Sequence, residues 1–171
     1  SFLDLAKKRC STRAYQPVPV SQEHIDAIVE AARVAPTAAN RQPVRILQVT
    51  SEEGLASLAK AANVFDAPLA FVVCADGEKA WKRPLDGMST VHVDASILTD
   101  HMMLAATDLG LGSVSDLSLR PHGHPRGIPG LPETLDPGEH SWPSGIPPAS
   151  SNEPRPPTPP SASRQRLVIH A

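Results

Sequence analysis

Two short runs in this sequence carry side chains whose types and spacing suit a ligand with a charged end and a planar end. Arg9, Ser11 and Arg13 stand at i, i+2 and i+4. On an extended chain alternate residues face the same way, so the three project to one side as two guanidinium forks and a hydroxyl, a good phosphate clamp. Lys7, Lys8 and Arg9 equally suit the negative end of a preceding helix, remaining solvated. Spacing alone favours the solvated reading. Cys10 falls inside the run, and packing rather than redox chemistry is its expected role.

The second run is Pro36-Thr37-Ala38-Ala39-Asn40-Arg41-Gln42-Pro43. Its small residues let a ligand approach the backbone, while Asn40 and Gln42 offer paired donors and acceptors for the amide-like edges of a heterocycle. A polar helix-to-strand connection stiffened by two prolines has the same composition. Other clusters are weaker. His122, His124 and His140 lack Cys or carboxylate partners at ligand spacing, so no metal site is expected. His92, Asp94, Asp100 and His101 read as capping and interface groups, and Met102 and Met103 as core. The glycines of LGLGS read as a helix stop and a tight turn.

The elements that position these runs follow from periodicity. A short helix is expected over 2–9, with Phe2, Leu5 and Ala6 on one side. A second, capped by Ser21, carries Ile25, Ile28, Val29 and Ala32 at helical spacing and stops before Pro36. Residues 44–49 are rich in β-formers, and Ser51 can cap a helix running to about residue 62. The run 68–75 is apolar at nearly every position, which suits a central strand covered on both faces. A long helix is expected over 90–109, closed by Gly110, with apolar residues around much of its circumference. This order of helices and strands indicates an α+β layered domain.

The whole chain has 171 residues, 16 basic against 18 acidic, with two cysteines. That length is enough for one core. A net charge of −2 without a concentrated basic face argues against nucleic acid or an anionic membrane as partner. The longest apolar run, 67–75, contains Pro68 and is far short of the roughly 20 residues that span a bilayer. Ser1-Phe2-Leu3-Asp4 lacks a leader pattern, and two cysteines make no disulfide framework, so a reducing, cytoplasmic setting is expected. Proline divides the chain: 6 of the 19 lie in residues 1–112 and 13 in 113–171. Little regular structure is expected over 115–163, because such a segment buries too little surface to offset its ordering entropy.

The runs KKRCSTRAYQPVPV, APTAANRQPVRILQV, DAPLAFVVCAD and DASILTDHMMLAATDLGLGSV, in this order, resemble the nitroreductase family of FMN-dependent oxidoreductases over residues 1–114. The segment AWKRPLDG is similar to a bridge in one branch of small members. The resemblance implies a central, mainly antiparallel sheet flanked by helices in an intertwined homodimer, with FMN at the interface. NADH or NADPH would be the donor and a nitroaromatic, quinone or similar electron-poor molecule the acceptor, in a ping-pong cycle. Arg9, Cys10, Ser11 and Arg13 would lie along the flavin phosphate and ribityl chain. Pro36, Thr37, Ala38, Ala39, Asn40 and Gln42 would approach the ring, from the partner subunit. Flavin carries the hydride, so no catalytic side chain is required.

Beyond Val114 the family's pattern continues with an aromatic strand, an F-D-P turn, a helix, L-P-E and an apolar strand ending in G-Y. Here only LPETLDP, 131–137, fits. Codons permitted for 115–130, read one base later, can spell LICHFDPTVIREGFR, and those for 138–142 can spell VNIL; one further base on, 142–146 can give AIGY. Residues 115–130 and about 138–160 are therefore read as an out-of-frame translation. Coding DNA with an uninterrupted frame and incompatible codons would exclude this. The end, 164–171, again resembles the family arm, with Arg164 at its phosphate-contacting position. The organisation expected is thus an FMN-binding core at 1–114, an anomalous segment at 115–163 and this end. The alternative is a catalytically impaired or non-catalytic domain bearing a proline-rich interaction tail, EPRPPTPP at 153–160.

Overall fold

The computed structural model describes residues 1–116 and the backbone of a strand at 144–146. The expected tail motif, Arg164, His122, His124 and His140 lie outside the described residues.

The elements run α1 (Phe2–Lys8), α2 (Gln22–Arg33), a 3-10 turn (Ala38–Asn40), β1 (Val44–Val49), α3 (Glu52–Ala59), β2 (Ala70–Ala75), α4 (Val91–Asp108) and β3 (Ser144–Ile146). The strands form one antiparallel sheet in the order β1-β2-β3. All six residues of β2 are buried, and their alternation divides the core. Phe71, Val73 and Ala75 face α2 and α4, packing with Ile25, Ile28, Ala95, Leu98, Met102 and Ala106. Ala70, Val72 and Cys74 join Val49 and Leu58 of β1 and α3 on the opposite face. The layered α+β reading holds, with β2 central as its uniform apolarity demands.

Local chemistry sets the ends of these elements. Ser21 Oγ accepts from His24 N–H and Ser51 Oγ from Gly54 N–H, at 3.3 and 3.2 Å. α4 stops at a Schellman motif: Gly110, at φ +80°, donates to Thr107 O, and Leu111 donates to Ala106 O. α3 ends at Ala59, short of the expected residue 62, where the chain turns into irregular backbone.

One expectation needs correction. β3 lies inside the stretch expected to lack regular structure. The open edge of the buried β2 needs backbone partners, and pairing through main-chain groups makes little demand on side-chain type. Its three residues fit between Pro143 and Pro147, neither of which can donate to a ladder. α1 forms where expected, over Phe2–Lys8; it has no buried residue, and Phe2 is 72% exposed. No helix among the described residues is long and apolar enough to cross a membrane.

Candidate functional site

A capping box starts α1: Ser1 Oγ accepts from Asp4 N–H, and the Asp4 carboxylate accepts from the Ser1 hydroxyl and the terminal ammonium at 2.7 and 3.1 Å. The helix ends at Lys8, and Arg9 leaves it in an extended conformation, φ −60° and ψ 125°. Lys7 and Lys8 are therefore the groups in the last turn, and Arg9 begins the next segment. That segment docks beside the end of α4: Ser11 pairs with Ser113 in a parallel bridge, and Thr12 N–H donates to Ser113 O at 3.0 Å. Gly112 permits this approach, since a Cβ there would lie 2.5 Å from Thr12 Oγ1. Tyr15 donates its hydroxyl to Thr12 O at 2.5 Å and pins the far side, and burial pushes its phenol above the ordinary value.

Arg9, Cys10 and Ser11 are half-buried and Arg13 is exposed. Cys10 is a free thiol. Among the described residues no carboxylate pairs with either guanidinium. Across the bridge, Ser113 is 1% exposed and its hydroxyl has no partner among the described residues. Two unpaired guanidiniums, a hydroxyl and an orphaned buried hydroxyl form a donor set that fits an anionic, hydroxyl-rich ligand such as a ribityl phosphate.

The second run is the connection from α2 to β1. It holds three non-glycine residues in the left-handed region: Ala39, Asn40 and Gln42, at φ 49°, 52° and 48°. Each such residue costs about 1–3 kcal/mol and persists only where its surroundings over-determine it. Here the Thr37 hydroxyl accepts from Gln42 N–H at 3.0 Å, and Gln42 Nε2 donates to Asn40 Oδ1 at 3.3 Å. Pro43 is fully buried, and its carbonyl accepts from Asp76 N–H at 3.0 Å. Ala39, Asn40 and Gln42 remain exposed, and Thr37 and Ala38 half-buried. The loop is thus a fixed, open shelf of amide groups.

One residue holding this shelf is not evident as such in the sequence. Asp94, in the first turn of α4 and 1% exposed, accepts from Ala38 N–H at 2.8 Å and from the Thr90 hydroxyl at 3.1 Å. An Asp at this position reads as a complement to the helix dipole, and a sequence separation of 56 hides its actual partner.

The two runs are anchored at opposite ends of α4. The loop is tied to α4 at Asp94 and the Arg9–Arg13 segment to Ser113 beyond its other end, with about 20 Å of helix axis between, at 1.5 Å per residue. The expected bridge is a closed turn in which Arg83 Nε donates to Asp86 at 2.7 Å, leaving Leu85 exposed at its tip.

The sequence profile described as the nitroreductase family matches residues 6–65 and 56–115. A Bacillus subtilis protein named FMN reductase (NAD(P)H) is 32% identical over 136 residues, covering 70% of this chain and 52% of its own length. The chain spans 58% and 64% of the length of relatives from Methanothermobacter thermautotrophicus and Archaeoglobus fulgidus, which are 36% and 37% identical to it. Among solved structures, a nitroreductase family protein from Clostridium difficile 630 has a TM-score of 0.80 and 42% identity, covering 90% of this chain and 86% of its own. A protein described as an FMN-dependent nitroreductase from Clostridium difficile R20291 has a TM-score of 0.76 and 27% identity, covering 98% of each chain.

Proposed function

Since the chain belongs to the nitroreductase family, we propose that it is an FMN-dependent oxidoreductase. It takes reducing equivalents from NADH or NADPH and delivers them to a small electron-poor acceptor, a nitroaromatic or quinone, in two alternating half-reactions. The observation that carries this is the extended Arg9–Arg13 segment, whose guanidiniums have no carboxylate partner among the described residues. Bound FMN supplies the hydride chemistry, so the chain need not furnish an acid–base pair.

The chain's own work is binding and orientation. Arg9 and Arg13 bracket the phosphate, with Ser11 donating its hydroxyl and Arg164 adding a further cation. Cys10 packs beneath the run. The shelf at Pro36, Thr37, Ala38, Ala39, Asn40 and Gln42 meets the ring edge, where Asn40 and Gln42 read the carbonyl and imide groups. The two runs are anchored at opposite ends of α4, about 20 Å apart along its axis, and we read the ring as meeting the shelf of a second copy. A homodimer with composite sites follows.

FMN titration of the purified full-length chain tests this reading. The wild type takes up FMN, turns yellow and is bleached by NADH or NADPH. Replacing Arg9 and Arg13 together by Ala weakens FMN binding by about 100-fold or more, through loss of two charge-assisted contacts. Replacing Lys7 and Lys8 leaves it within about threefold. Equal losses in the two double variants would return Arg9 and Arg13 to a solvated role.

A further inference from the structure

The shelf at 36–42 depends on an acceptor that its own sequence does not supply. Thr37 occupies the cap position of the 3-10 turn but makes no side-chain cap, because its hydroxyl is committed to Gln42 N–H. Ala38 N–H is therefore an orphan donor at the turn's start. Asp94 satisfies it from a different element, through Oδ1 at 2.8 Å.

A buried carboxylate is a costly way to fill this position in α4. Asp94 is 1% exposed, and among the described residues no cation pairs with it. An apolar side chain would pack there without the desolvation penalty. What the carboxylate adds is a charged acceptor directed out of the helix, which makes a shorter and stronger bond to the loop than a neutral one. The Thr90 hydroxyl steadies the other oxygen, and the single hydrogen of that hydroxyl also lies within reach of Trp81 O at 3.2 Å.

We propose that Asp94 is a positioning residue for the flavin ring: it caps the shelf's first turn in trans and holds Ala39, Asn40 and Gln42 in the left-handed arrangement that receives the ring edge. This rests on the flavin reading of the shelf. Asp94 touches no ligand and acts only through the loop.

Flavin binding to the full-length chain, with FMN and with riboflavin as a probe lacking the phosphate, separates the alternatives. Asp94→Ala lowers affinity for both by about 10- to 100-fold, leaves their ratio unchanged and shifts the visible band of any bound flavin. Asp94→Asn keeps a neutral acceptor for Ala38 N–H, loses the charge, and falls between wild type and the Ala variant, about three- to tenfold weaker than wild type. The Arg9 and Arg13 double variant loses FMN selectively, so its ratio changes. If Asp94→Ala does not fold, the near-isosteric Asp94→Leu takes its place with the same expected loss. Wild-type affinity for both probes in a folded Asp94→Ala or Asp94→Leu chain overturns the proposal while leaving the flavin reading intact. An Asn variant as weak as the Ala variant also overturns it, as does failure of both Ala and Leu variants to fold, which makes Asp94 a core residue. A wild-type chain that binds neither probe overturns the flavin reading and this proposal together.

Discussion

At the scale of single residues, burial gives Cys74 a pH dependence of known sign. It lies in β2 at 5% exposure, and burial pushes its thiol above its ordinary value, up to about 11. The folded chain thus holds its proton more tightly than the unfolded chain. The stability this contributes is fully present below about pH 9 and is lost as pH rises from there through 11. Thermal unfolding of the wild type is expected to fall more steeply between pH 8 and 10.5 than that of Cys74→Ala, and parallel curves would assign the alkaline loss elsewhere. The sequence shows why residue-level features differ in legibility. The end of α1 before the segment carrying Arg9, Ser11 and Arg13 is readable because its signals are local. The left-handed conformations of Ala39, Asn40 and Gln42 are not, because no glycine marks them. Asp94 is hidden further, since its partner is set by tertiary contact alone.

Elements carry the next level of dependence. The Arg9–Arg13 run is held beside α4 by a single bridge over Gly112, where a methyl group would sit 2.5 Å from Thr12 Oγ1 and 2.9 Å from its Cβ. Gly112→Ala is therefore expected to cost about 1–3 kcal/mol, the range for overpacked sites, and to weaken FMN binding as well. Denaturant unfolding alongside flavin titration checks this; a stable variant with unchanged binding would mean that the bridge does not position the clamp. Strand and helix positions were largely legible. β1 occupies 44–49 as its β-formers and the stiff loop before it indicate, and β2 is central because its apolar run leaves no solvent face. α1 occupies 2–8 as its residues indicate, while periodicity shows an apolar side without showing what covers it.

For the whole molecule, the boundary drawn by proline near residue 113 and the end of the family match at residue 115 coincide. Composition marks that boundary in the sequence, because proline, which cannot donate to a ladder, is dense beyond it. β3 was invisible for the same reason, since three residues between prolines carry no period. The length of α4 has one more effect. If each site joins the clamp of one subunit to the shelf of the other, the two defects are separable genetically. A chain with Arg9 and Arg13 replaced and a chain with Asp94→Ala are each expected to lose flavin alone. Unfolded together and refolded as mixed dimers, they should regain it at one site of each pair, where the intact clamp of one meets the intact shelf of the other. Complementation between the two parents is thus the signature of a site shared between subunits, and its absence on mixing would place both halves of the site in one chain.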